Sequence, residues 1–102
     1  MADWHDVGPV GIVEEGEVVA VHAGGTPVAL FLHEGNHYAL RDLCTHGEAR
    51  LSDGYIEDGC VECPLHQGMF DIATGEVRQA PVTVPVCRYD VRLNGERIEV
   101  SL

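Results

Sequence analysis

Apolar and polar positions alternate along most of the chain, a pattern that predicts strands and leaves helix signals weak throughout. "EVVAVH" (17–22), "PVALFLH" (27–33) and "HYALRDL" (37–43) are separated by "AGGT" and "EGN", which reads as three strands joined by tight, glycine-bearing hairpins. Further on, "YIE" (55–57) and "CVEC" (60–63) flank Asp58-Gly59, and "GMFDI" (68–72) runs into the turn "ATGE". The last third carries "VPVCRYDVRL" (84–93), an Asn94-Gly95 turn and "ERIEVSL" (96–102). Asn-Gly between alternating segments is among the strongest short-range hairpin signals. Pro81 and Pro85 bracket "VTV", so Arg78 to Pro85 reads as a stiff connecting loop. Turns recurring every eight to twelve residues or so predict an all-β fold, a sandwich or barrel.

The chain has 102 residues, 45% of them apolar, which suits one small domain with a packed core. No apolar run reaches the roughly 18 residues of a membrane span, and the opening "MADWHDV" has no signal-peptide pattern. A cytoplasmic protein without membrane contact is expected. Seventeen acidic residues stand against six arginines and no lysine, a net charge of −11. That balance argues against nucleic acid as a partner, because a binding surface for phosphates must be basic. It suits docking to a basic patch on a protein.

Four cysteines in a chain without a secretion signal point to metal binding rather than to stable bridges. Cys44 and Cys63 each have a histidine close by, in "CTHG" (44–47) and "CPLH" (63–66). Both stretches lie among turn-formers, so they belong to loops, with sixteen residues between His46 and Cys63. A zinc knot, a disulfide with bystander histidines, and an iron–sulfur cluster are the alternatives. Zinc modules usually bring ligands in as a Cys pair and a His pair. Here each loop supplies one of each, an order that suits a two-metal object gripped at both ends. Cys60 and Cys87 have no histidine at such spacing and are expected to be buried as small hydrophobes. His5, His22, His33 and His37 also have no partner at ligand spacing, and Trp4 reads as a packing residue. Asp53 and Asp58 belong to turns, while Arg50 and Gln67 sit beside the ligands. No arrangement of catalytic residues outranks the Cys/His loops.

"CTHGEARLSDGYIE" and "ECPLHQGMFDIATGEV…APV" resemble the small Rieske-type ferredoxins of bacterial aromatic-ring-hydroxylating dioxygenase systems, especially the naphthalene-dioxygenase type. The close match spans about residues 43 to 83, and the flanking strands agree in pattern. The resemblance implies a Rieske fold over residues 1–102: an antiparallel β-sandwich carrying a small cluster-binding β-subdomain, about 43–83, formed by two loops. It implies one [2Fe–2S] cluster per chain, with Cys44 and Cys63 on one iron and His46 and His66 on the other. The implied function is to carry single electrons, as a monomer, from a flavin-containing ferredoxin reductase to a terminal Rieske oxygenase that hydroxylates an aromatic substrate. The protein would be a carrier with no catalytic residues of its own. Two other readings are a small subunit of an assimilatory nitrite reductase, which resembles this fold, and a zinc-stabilised binding module. Gly47 and Gly68 would let backbone N–H groups approach the sulfides, and Pro64 and Pro81 would stiffen the loops.

Exchanging two thiolates for neutral imidazoles makes the cluster less negative and eases reduction. High-potential members of the resembled family brace their loops with a disulfide and donate two hydroxyl groups to the cluster sulfurs. The matching positions here are Ala49 and Leu65 for the disulfide, and Gly68 and Phe70 for the hydroxyls. None can substitute, so negative charge on sulfur stays less compensated. A redox titration is expected to give a midpoint near the low end of the Rieske range, about −150 mV. A clearly positive midpoint would contradict this.

Overall fold

A computed structural model describes residues 3–45, 49–65, 68–80 and 84–102. The described chain is built from ten strands, all paired antiparallel, and two short 3-10 turns. The strands are β1 (Trp4–Pro9), β2 (Val18–Ala23), β3 (Thr26–His33), β4 (Asn36–Arg41), β5 (Tyr55–Glu57), β6 (Cys60–Glu62), β7 (Met69–Asp71), β8 (Val77–Gln79), β9 (Arg88–Asn94) and β10 (Arg97–Ser101). The 3-10 turns are Val10–Ile12 and Leu51–Asp53. No helix among the described residues is long and apolar enough to cross a membrane.

Six strands form one sheet in the order β1-β10-β9-β4-β3-β2, and four form a second in the order β5-β6-β7-β8. The large sheet folds on itself as the expected sandwich. Its halves, β1-β10-β9 and β4-β3-β2, are joined by the short β4–β9 pairing at Ala39–Tyr89 and Leu40–Arg88. The hairpins between β3 and β4 and between β5 and β6 are two-residue turns, Glu34-Gly35 and Asp58-Gly59. Both residues of each turn have positive φ (51° and 80°, 50° and 75°), the geometry that matches the twist of adjoining strands.

Two cores result. One joins Val21, Val28, Leu30, Ala39, Ile98 and Val100, residues from both halves of the large sheet. The other joins Ala29, Phe31 and Leu40 to Leu51, Val61, Phe70, Ile72, Val86, Cys44 and Cys63. Strand β3 serves both. Its successive side chains point to opposite faces, so Val28 and Leu30 enter the first core, and Ala29 and Phe31 enter the second. All four are fully buried, which explains why "VALF" reads as a continuous apolar run.

Two strands are absent from the sequence expectation. β1 contains Gly8 and Pro9, which read as turn residues; its pairing with β10 absorbs them through a bulge between Asp6 and Gly8. β8 lies in the segment expected as loop, so Arg78 and Gln79 are corrected to strand. With one apolar residue in three, β8 is held by pairing with β7 and by Arg78, whose guanidinium lies 2.6 Å from the Asp71 carboxylate. Two boundaries also shift. β9 begins at Arg88 instead of Val84, and the β9–β10 loop is Gly95-Glu96, with Asn94 closing the ladder against Arg97. Trp4 packs as expected, its ring under the Arg92 guanidinium at 4.2 Å from centroid to Cζ.

His37, on β4, has its Nε2 buried with no hydrogen-bond partner among the described residues. Burial lowers its pKa from 6.5, since the charged form is the one that loses water. The unfolded chain therefore binds the proton more readily than the folded one. The stabilising contribution is complete above pH 6.5 and is lost as pH falls below that value through the lower folded pKa. Urea denaturation at successive pH values should show stability declining in this window, and His37→Leu should flatten the decline.

Candidate metal centre

Cys44 follows β4 after the two residues Asp42 and Leu43, and Cys63 directly follows β6. The two thiols are 2% and 1% exposed and belong to one core, packed with Leu51, Val61 and Phe70. Each opens a loop closed in the same way. The Cys44 N–H donates to the Ala49 carbonyl at 2.8 Å, and the Cys63 N–H donates to the Gly68 carbonyl at 2.7 Å. In both cases the acceptor lies five residues on. The loops matched in sequence are thus matched in backbone geometry. Ala49 and Gly68 supply the closing carbonyls. Among the described residues no disulfide joins any of the four cysteines.

His46, Gly47, His66, Gln67 and Pro81 lie outside the described residues. His46 and His66 fall between the closing positions of the two loops by sequence. Two core-buried thiols of one cluster, each opening a closed loop that carries a histidine, form a donor set chemically suited to two soft metal ions. Arg50 is exposed at the base of the first loop, next to Leu51, and Pro64 is exposed at the start of the second.

The expectation for the other two cysteines is overturned. Cys60 is half-buried and Cys87 is exposed. Alternation in β6 explains Cys60, since Val61 takes the inward position, while before β9 Val86 enters the core and leaves Cys87 at the surface. Burial and the nearby Asp71 charge push the Cys60 thiol above its usual pKa, so it is not primed as a thiolate ligand. Burial would raise the Asp71 pKa, but the Arg78 guanidinium and the N–H groups of Ala73 and Thr74 outweigh it, and the carboxyl lies below its usual range.

Three features of the centre have no signal in local motifs. Asp42, 3% exposed, accepts hydrogen bonds from the Ser52 N–H at 2.7 Å and the Ser52 hydroxyl at 2.6 Å. The Thr45 hydroxyl donates to the Val84 carbonyl at 2.6 Å, tying the first loop to the segment before β9. Gly54 lies so close to β6 that a Cβ there would sit 2.1 Å from the Glu62 carbonyl oxygen.

The fold is that of an all-β protein with two loops that each open at a core-buried cysteine. The chain belongs to the Rieske [2Fe-2S] domain family, which matches residues 3–90, and one such cluster is its cofactor. It is 48% identical over its whole length to the anthranilate 1,2-dioxygenase ferredoxin subunit of Burkholderia cepacia, covering 94% of that protein. It is 44% identical to the ferredoxin component of the naphthalene 1,2-dioxygenase system of Pseudomonas aeruginosa, over 97% of this chain and 95% of the other. Among solved structures it resembles a chain in the complex of reduced oxygenase and oxidised ferredoxin in carbazole 1,9a-dioxygenase. The TM-score there is 0.89 and the identity 32%, over 96% of this chain and 92% of that one.

A methyl group at position 54 would force the 3-10 turn away from β6. Gly54→Ala should cost about 1–3 kcal/mol, the usual range for overpacking, measured as a lower denaturation midpoint. An unchanged midpoint would contradict the close approach.

Proposed function

We propose that this protein is the ferredoxin component of a bacterial aromatic-ring-hydroxylating dioxygenase system. It takes single electrons from a flavin-containing reductase and delivers them to a terminal Rieske oxygenase, where the substrate is hydroxylated. It works as a monomeric carrier in the cytoplasm and catalyses no reaction itself. Cys44 and Cys63 bind one iron, and His46 and His66 bind the other, within a cluster-binding subdomain of about residues 43–83 on a domain spanning 1–102.

The observation that carries this reading is the pair of core-buried thiols at the mouths of two identically closed loops. The full-length likeness to dioxygenase ferredoxins supports it independently. When bound, the cluster supplies a one-electron redox couple. The protein supplies its surroundings. Leu51, Val61 and Phe70, each fully buried, keep water from the thiolate side. On the outer side the loops present apolar side chains: Leu43 is 40% exposed, Leu65 59% and Val84 56%. Leu43 and Leu65 each neighbour a proposed ligand in sequence, and Val84 is tied to Thr45.

An apolar rim around a redox centre releases its water when a partner surface arrives, which shortens the path between cofactors. Charge acts at longer range. Arg78, Arg88, Arg92 and Arg97 all have acidic partners, so the excess of carboxylates dominates the field. Such a field speeds encounter with a basic docking face and weakens with salt.

Reconstitution tests the reading. With a flavin-containing reductase and an aromatic-ring oxygenase, substrate hydroxylation should depend on adding this protein. Leu65→Asp should slow that transfer roughly ten-fold, as expected for losing an interface contact worth about 1.4 kcal/mol, without altering the visible spectrum. A protein that is reduced normally but supports no oxygenase would sink the proposal.

A further inference from the structure

Asp42 is the one charged side chain fully buried among the described residues. A buried carboxylate is costly unless its oxygens are satisfied, and here Ser52 occupies both, one through its N–H and one through its hydroxyl. A hydrophobic residue at this site would avoid that cost, so the pair has to be explained by what it holds in place.

Its position supplies the explanation. The Asp42 N–H donates to the Pro27 carbonyl at 3.0 Å, fixing residue 42 to the start of β3. Two residues on, Cys44 opens the first loop, closed on the inside by the Cys44–Ala49 hydrogen bond. The Asp42–Ser52 pair closes the same loop from outside, as a second rung. Ser52 lies at the centre of the 3-10 turn Leu51–Asp53, and that turn ends at Gly54, packed against the carbonyl of Glu62. Glu62 is the residue before Cys63. Two contacts, Asp42 with Ser52 and Gly54 with Glu62, joined by short stretches of chain, therefore link Cys44 to Cys63.

We infer that Asp42 and Ser52 are a positioning pair that sets the placement of Cys44 relative to Cys63, and so the geometry of the iron these two thiolates share. The inference rests on the ligand assignment above and adds the device that enforces it. Neither residue is among the proposed ligands. They act by fixing the base of the first loop against the strand that delivers the second.

The holoprotein provides the test. Asp42→Ala and Ser52→Ala should lose the visible absorbance of the cluster roughly ten-fold faster in the presence of an iron chelator, the usual scale for removing a group that orients metal ligands. The EPR signal of the reduced protein should broaden in both. Asp42→Asn keeps an oxygen for the Ser52 N–H and a polar group for its hydroxyl, and Ser52→Thr keeps both donors. These two variants should return bleaching and line shape close to those of the parent. Parent-like bleaching and EPR in both alanine variants would overturn the proposal. So would faster bleaching matched, across all four variants, by proportionate loss of apoprotein stability, since the pair would then serve only the fold. A parent protein lacking two irons and two sulfides per chain would overturn the ligand assignment itself, and the inference with it.

Discussion

The two-sided burial of β3 is the constraint on which the rest of the molecule depends. A strand with four consecutive enclosed side chains, Val28 to Phe31, must be covered on both faces, and 102 residues leave little to cover it with. The large sheet solves one side by folding onto itself. The small sheet and the two cysteine loops solve the other, which is why the thiols end up among Phe31, Leu51 and Phe70. The two thiols are thus part of the second core and not an appendage to it. Chemistry and packing use the same residues.

That arrangement also explains how a site made of loops can be precise. Loops ordinarily vary in position because their backbone groups bond to water. Here each ligand loop is closed by its own backbone hydrogen bond, and the base of the first loop is tied to strand, 3-10 turn and neighbouring sheet. The cysteines are enclosed, while the side chains of Leu43, Leu65 and Val84 are exposed. A carrier needs both properties: a fixed site that reorganises little with each electron, and a face that partners can approach closely.

Much of the fold was legible because its hairpins obey local rules. The two-residue turns at Glu34-Gly35 and Asp58-Gly59 need positive φ, and a glycine at the second position announces each of them. β1 and β8 were illegible for the complementary reason. Gly8 and Pro9 disfavour a strand and the short polar run of β8 scarcely favours one, so pairing with β10 and with β7 imposes their conformation. The placements of Cys60 and Cys87 failed similarly: a cysteine's usual preference for the interior yielded to Val61 and Val86, which take the core positions beside them.

By itself the sequence determined the chemistry of the centre. One cysteine and one histidine stand in each of two turn-rich segments, and positions 49, 65, 68 and 70 hold alanine, leucine, glycine and phenylalanine, which offer neither a thiol nor a hydroxyl. Those are facts of residue type, and residue type is local. Only the tertiary structure decided that the two thiols share one core, that both loops close by the same five-residue hydrogen bond, and that Asp42 and Ser52 meet across the first loop. Each of these joins positions whose separation is fixed by packing, and packing depends on every strand at once.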